Sequence, residues 1–146
     1  MTIGESLRSE LLADATIAAA VGVRIYPVIA VAVDKDGPFP DQIVFRQMNE
    51  EIDEALGPGE SKVLLRSTFE IVSTCDLRTE AASNAYDRAQ SISDAVLDAL
   101  HGFAGTLGGI GGIDVQFIRQ VDRSDDFDFE VGLIVKVQTF EITWRV

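Results

Sequence analysis

The sequence predicts an α+β fold: a single domain in which a largely antiparallel four-stranded sheet is packed by one long helix and one N-terminal helix, in the order α-β-β-α-β-β. Two observations carry this. Apolar residues keep helical spacing from Ala82 to Leu100, and they alternate at period two in four other runs. A third sets the scale: 146 residues can bury one sizeable core, not two.

The first element spans Ile3 to Val21. There Ile3, Leu7, Leu11, Ile17, Ala18 and Val21 recur at three- and four-residue intervals, interrupted at LADAT, so one amphipathic helix or two short ones open the chain. Gly22 stops it, and Pro27 keeps Tyr26 out of helical conformation, which makes RIYP an extended exit. DKDGPFPD, residues 34–41, reads as an exposed loop, and QIVFRQM as the first strand. EEIDEALGPGESK reads as a second, charged loop. In VLLRSTFEIVSTC, Leu65, Phe69 and Ile71 share one face and Arg66, Thr68 and Glu70 the other, as in a half-buried strand.

The long helix presents Ala82, Ala85, Tyr86, Ala89, Ile92, Val96, Leu97 and Leu100 on its apolar side, with Asp87, Arg88, Asp94 and Asp98 facing outward. GFAGTLGGIGGIDV follows. A phosphate-cradling loop follows a strand, opens a helix and in its P-loop form carries a lysine, whereas this stretch follows a helix and leads into IDVQFIRQV. It is read as a turn, with Gly102 ending the helix in the left-handed region. The last two strands, IDVQFIRQV and VGLIVKVQTFEITWRV, are joined by the acidic link DRSDDFDFE, read as a solvated hairpin tip.

Twelve basic and twenty-four acidic side chains give a formal charge of −12, which disfavours gripping nucleic acid. The opening MTIGESLRSELLADA has no basic segment leading an apolar one, so a soluble, unexported chain is expected. One cysteine, Cys75, and one histidine, His101, exclude an internal disulfide, a cysteine zinc cage and a histidine dyad within one chain. Cys75 reads as a small buried hydrophobe; His101, at the end of the long helix, has a capping or solvent role. Two acidic runs stand out: Glu50, Glu51, Asp53 and Glu54, and Asp122, Asp125, Asp126, Asp128 and Glu130. The second invites calcium but lacks the EF-hand glycine and the terminal bidentate glutamate. No catalytic residue, metal ligand or cofactor is assigned.

Taken together, RIYP, QIVFRQ, RSTFEIVSTCD, DRAQSISDAVLDAL with HGFAGTLGG, and the closing EITWRV after an acidic turn resemble the tail-completion, or tail terminator, proteins of long-tailed phages and gene transfer agents. The resemblance covers nearly all of residues 1–146, and no catalytic signature is among its motifs. Between Pro27 and Pro40, VIAVAVDKDGPF is longer and more apolar than the family's short Pro/Gly-rich stretch. The resemblance implies a non-enzymatic virion protein at the head-proximal end of the tail, assembled in the bacterial cytoplasm as a hexameric ring. Its implied partners are further copies of itself, the major tail tube protein and the head-tail connector, and it has no membrane role. DNA would pass through without specific binding, so one of the two acidic runs is expected to face the channel. VIAVAV, with Val28, Ile29, Val31 and Val33, is a candidate subunit contact or else an ordinary buried strand. Mutual repulsion at −12 per copy predicts that salt, or docking on a tube, helps the ring close. The alternatives are another head-tail connector or neck component and, from a different class, a small acidic metal-dependent hydrolase.

Overall fold

The computed structural model describes residues 1–27, 40–55, 63–77, 82–128 and 132–146, with 53–55, 82–83 and 128 described by backbone alone. Two short helices come first, α1 (Ile3–Ala13) and α2 (Ala15–Val21). Asp14 separates them: its amide closes α1 on Leu11 O, and its carboxylate accepts the Ile17 amide at the start of α2. Thr2 and Glu5 form a reciprocal capping box at the other end of α1.

Six strands follow, with one long helix among them: β1 (Ile25–Pro27), β2 (Gln42–Ala55), β3 (Val63–Asp76), α3 (Ala82–Leu100), β4 (Gly105–Leu107), β5 (Ile113–Asp128) and β6 (Leu133–Arg145). They form one sheet in the order β1-β2-β3-β6-β5-β4, antiparallel except for the parallel pair β1 and β2. The expected four-stranded antiparallel sheet with two helices is therefore replaced by a six-stranded mixed sheet, curled as a half-barrel, with three helices.

The corrections have physical reasons. β1 and β4 are each three residues long, too short to establish a period of two, and β4 lies inside the glycine-rich stretch read as turn alone. β2 continues through the acidic residues to Ala55, and β5 runs on to Asp128 through the segment read as a link. An open strand edge in water tolerates such charges, so polarity there does not mark the end of a strand.

The curl has two visible causes. The register shifts at two places in β2 and two in β5, whereas β3 and β6 pair without interruption. Bulges on the outer long strands add length and twist that the central pair lacks, and the sheet bends. Helix α1 then reaches both edges. Arg8 Nε donates to Ile25 O on β1 at 2.9 Å, and Glu10 accepts the Gly108 amide, just beyond β4, at 3.0 Å.

The core fills the concavity. Ile43 and Phe45 of β2, Phe69, Ile71 and Cys75 of β3, Val115 and Ile118 of β5, and Ile134, Phe140 and Ile142 of β6 are buried. They meet Leu7 and Leu11 of α1, Ile17 and Val21 of α2, and Ala85, Ala89, Ile92, Val96 and Leu100 of α3. The apolar faces of the first segment and the long helix are thus the ones the periodicity predicts.

Candidate functional site

The acidic runs lie where, among the described residues, the sheet has no further strand. β1 pairs with β2 only at Ile43–Phe45, so among the described residues the rest of β2 has a ladder partner on the β3 side alone. On the opposite edge, β4 covers β5 at Ile113–Val115, and the chain leaving α3 covers a little more. Gly102 donates to Ile118 O, Ile118 donates to Phe103 O, and His101 Nδ1 accepts the Gln120 amide at 3.0 Å. His101 therefore caps a strand edge; the terminal bend of α3 is made by Gly102, whose φ is +81°.

Beyond these short covers the backbone edges carry the carboxylates. Glu50 and Glu51 are exposed on β2; Glu50 accepts from Ser67 Oγ at 3.3 Å, and Glu51 stands 3.7 Å from Arg66 Nε. Asp53 and Glu54 belong to the same strand. On β5, Asp122 and Asp126 are exposed and pair through the register with Thr139 and Val135 of β6. Asp128 ends β5, whereas Glu130 and the contact candidates Val28, Ile29, Val31 and Val33 lie outside the described residues. Glu50 sits in the row Ser67–Ile142–Ile118, and Asp126 in the row Val135–Thr74–Gln42. The runs occupy opposite edges and opposite ends of the strands, so one subunit does not merge them into a single acidic patch.

The second run is also divided between faces. Asp125 turns inward beneath α3, where its Oδ1 receives Lys136 Nζ at 2.5 Å and its Oδ2 receives the Tyr86 hydroxyl at 3.1 Å. The Lys136 side chain is only 2% exposed, and its ammonium lies 4.0 Å from the centre of the Tyr86 ring. The Lys136 hydrogen bond holds the Asp125 carboxyl below its ordinary range, against a smaller opposing effect of burial. Burial pushes the Lys136 ammonium the other way, but its bonds to Asp125 and Tyr86 outweigh that and raise it. Arg123 bonds Asp94 of α3 at 2.7 Å, and buried Gln138 donates to Ser93 O and Gln120 Oε1. These polar ties fix the long helix over β5 and β6. Alternation in LIVKVQTFEI signals them, because it places Lys136 and Gln138 on the face of Ile134, Phe140 and Ile142.

The opposite face of the sheet carries a chain of ion pairs. Arg66 lies between Glu51 and Glu141, and Arg119 reaches Glu141 at 2.8 Å. With Phe117 and Thr143 the arginines and Glu141 line an open hollow of about 320 Å3. The lining holds two arginines and one glutamate, and Glu51, 3.7 Å from Arg66 Nε, supplies the second carboxylate from beside it.

Metal-ligating side chains do not cluster among the described residues. No three of their His, Cys, Asp or Glu side chains are grouped to hold a metal ion. Strand alternation explains this for the second acidic run, because Asp125 points to one face and Asp122 and Asp126 to the other. Cys75 is fully buried, and burial, reinforced by Asp41, pushes its thiol up to about 12, which removes the thiolate a nucleophile needs. No described helix is long and apolar enough to cross a membrane.

No protein-family profile and no curated protein matches the chain. Among solved structures, it is similar to a chain of the virion of a native gene transfer agent particle, with 17% identity and a TM-score of 0.66 over 99% of this chain and 98% of that one. At this identity the likeness is one of fold, and it runs the full length of both chains.

Proposed function

We propose that the chain is a structural protein of a phage-like particle: a tail-terminator subunit that caps the tail tube as a ring and joins it to the head connector. The observation that carries this reading is the end-to-end likeness of fold to a chain of a gene transfer agent virion. The sequence segments that resemble the tail terminator family support the same assignment from a different direction, since they are short patterns spread from RIYP to EITWRV. The architecture suits the task. A curled sheet strapped by a helix is a rigid wedge, and rings are built from wedges repeated by one rotation.

In this reading the ring is hexameric, its partners are the tube protein and the connector, and DNA crosses it untouched. The acidic edges contribute twice. Carboxylates along an open edge discourage unplanned strand pairing, and a run lining the channel repels the duplex.

Deleting the gene from a particle-producing strain tests the proposal. The expected result is tube of uncontrolled length together with heads lacking tails, and mass spectrometry of normal particles should find the chain at low, fixed copy number. Particles of normal tail length, or a chain absent from purified particles, would overturn it. A connector or neck component would instead give tails of normal length that fail to join heads.

A further inference from the structure

The turn between β4 and β5 holds a single apolar side chain out in water. Ile110 is 103% exposed, more than any other large hydrophobic residue described, in the sequence Gly108-Gly109-Ile110-Gly111-Gly112. The turn is built, and its glycines are required by it. Gly108, Gly109 and Gly111 have φ of +83°, +74° and +80°. A Cβ on Gly108 would stand 2.8 Å from the Ser6 backbone, and one on Gly112 would stand 1.9 Å from Leu107 O. The Gly108 amide is tied to Glu10, and the Gly112 amide to Gly109 O. These two ties leave the backbone that carries the isoleucine less freedom to lose on docking than an untethered loop has.

The same helix that anchors this knob also walls a hollow on its other flank. Among the described residues Thr2, Gly4, Glu5, Arg8, Pro27 and Phe45 line an apolar cavity of about 180 Å3. Ser6 and Glu10 face the glycine turn, while Gly4 and Arg8 face β1 and β2, so knob and hollow lie on opposite sides of α1 and at opposite edges of the sheet. Gly4 leaves the floor open: a Cβ there would already be in van der Waals contact, at 3.6 Å, with the Phe45 ring. Charge does not oppose the fit: Glu5 and Arg8 both line the hollow and offset one another, while Glu10 and Asp114 beside the turn are already tied to the Gly108 amide and Arg145.

We propose that Ile110 of one copy of this chain docks into the Gly4–Pro27–Phe45 hollow of the next. A surface that meets a different surface on its neighbour makes a head-to-tail contact, which closes into a ring when the rotation allows. This deepens the ring reading by naming a contact, but it concerns self-association alone and can fail while the virion assignment stands.

Two variants and one cross-link test it on the purified chain. Ile110→Asp should leave the melting temperature unchanged, because the side chain touches nothing in its own subunit, and should weaken self-association by roughly tenfold or more in sedimentation. Gly4→Leu, which fills the hollow from inside, should do the same. With Gly4→Cys and Ile110→Cys in one chain, mild oxidation should give a ladder of covalent multimers, whereas either alone should not, since native Cys75 is buried. Wild-type protein that stays monomeric at its highest attainable concentration overturns the contact. So does an Ile110→Asp variant that associates like wild type, or a double-cysteine chain that associates without forming the ladder. Localisation of the chain in particles would be untouched by any of these failures.

Discussion

Arg8 and Glu10, two positions apart on one helix, hold opposite edges of the same sheet: Arg8 donates to Ile25 O on β1, and Glu10 accepts the Gly108 amide beyond β4. Residues two apart on a helix project about 200° from one another by helical geometry. A single turn of α1 therefore spans the mouth of the half-barrel, converting two strand ends with unpaired backbone groups into satisfied ones.

Glu10→Ala should accordingly destabilise the fold by about 1–2 kcal/mol, since the part-buried Gly108 amide loses its acceptor. Hydrogen exchange is the sharper readout. The Gly108 amide should exchange faster in Glu10→Ala while amides in the β3 and β6 ladder stay protected. Unchanged protection at Gly108 would mean that the strap contributes nothing.

The glycine turn should respond unevenly to alanine. Gly109 and Gly111 have open space where a Cβ would lie, so their cost is that of a positive φ, about 1 kcal/mol. Gly108→Ala adds a collision with the Ser6 backbone, and Gly112→Ala one with Leu107 O, so both should cost more, about 2–4 kcal/mol. Equal losses at all four positions, measured by denaturant unfolding, would contradict the geometry.

The Lys136–Asp125 pair should be asymmetric. Asp125→Ala strands a buried ammonium and should cost about 3 kcal/mol, the lower end for such a loss because the Tyr86 ring remains beneath the charge. Lys136→Met removes the buried charge and leaves Asp125, which has some access to water, so it should change stability by less than about 1 kcal/mol. The sign with pH follows. Asp125 is depressed when folded, so its contribution is present above its ordinary value of 3.8 and is lost as pH falls through the lower folded value. Lys136 is raised when folded, so its contribution holds below its ordinary value of 10.5 and is lost as pH rises through the higher folded one. Acid melts in which wild type and Lys136→Met lose stability over the same range would refute this.

These features differ in how far the sequence announces them. Leu7, Leu11, Ala89 and Val96 are buried where helical periodicity puts them, and Phe69 and Ile71 face the core as alternation demands. Cys75 is the small buried residue expected. The three-residue strands carry no period of their own, because a ladder that short is decided by its partner: β1 is held by Ile43 and Phe45, β4 by Ile113 and Val115. Gly105–Leu107 carries no β-branched run and would be turn in isolation. The two acidic stretches mislead for the opposite reason. Charge is the usual signature of a loop, yet in β2 and β5 it decorates an edge that has no further strand among the described residues. No local pattern identifies the strap either, since it joins Glu10 to Gly108 across most of the chain.

The position of the acidic runs leads to a last prediction. They sit on opposite edges and at opposite ends of the strands, so the lumen charge proposed for the ring should reside in one of them. Glu50 and Glu51 are exposed, and Glu51 is a loose 3.7 Å from Arg66; Asp122 and Asp126 are exposed as well. Reversing either pair, Glu50→Lys with Glu51→Lys or Asp122→Lys with Asp126→Lys, should cost the folded chain less than about 1 kcal/mol, as surface charges do. Lysines in the channel would bind the phosphates that the native carboxylates repel, and that attraction weakens as salt rises. One of the double variants should therefore assemble into particles of normal number and tail length that deliver DNA poorly, with the defect eased at higher ionic strength. The other should deliver normally. If both deliver like the wild type, neither run faces DNA, and their carboxylates serve only to keep the open edges from pairing.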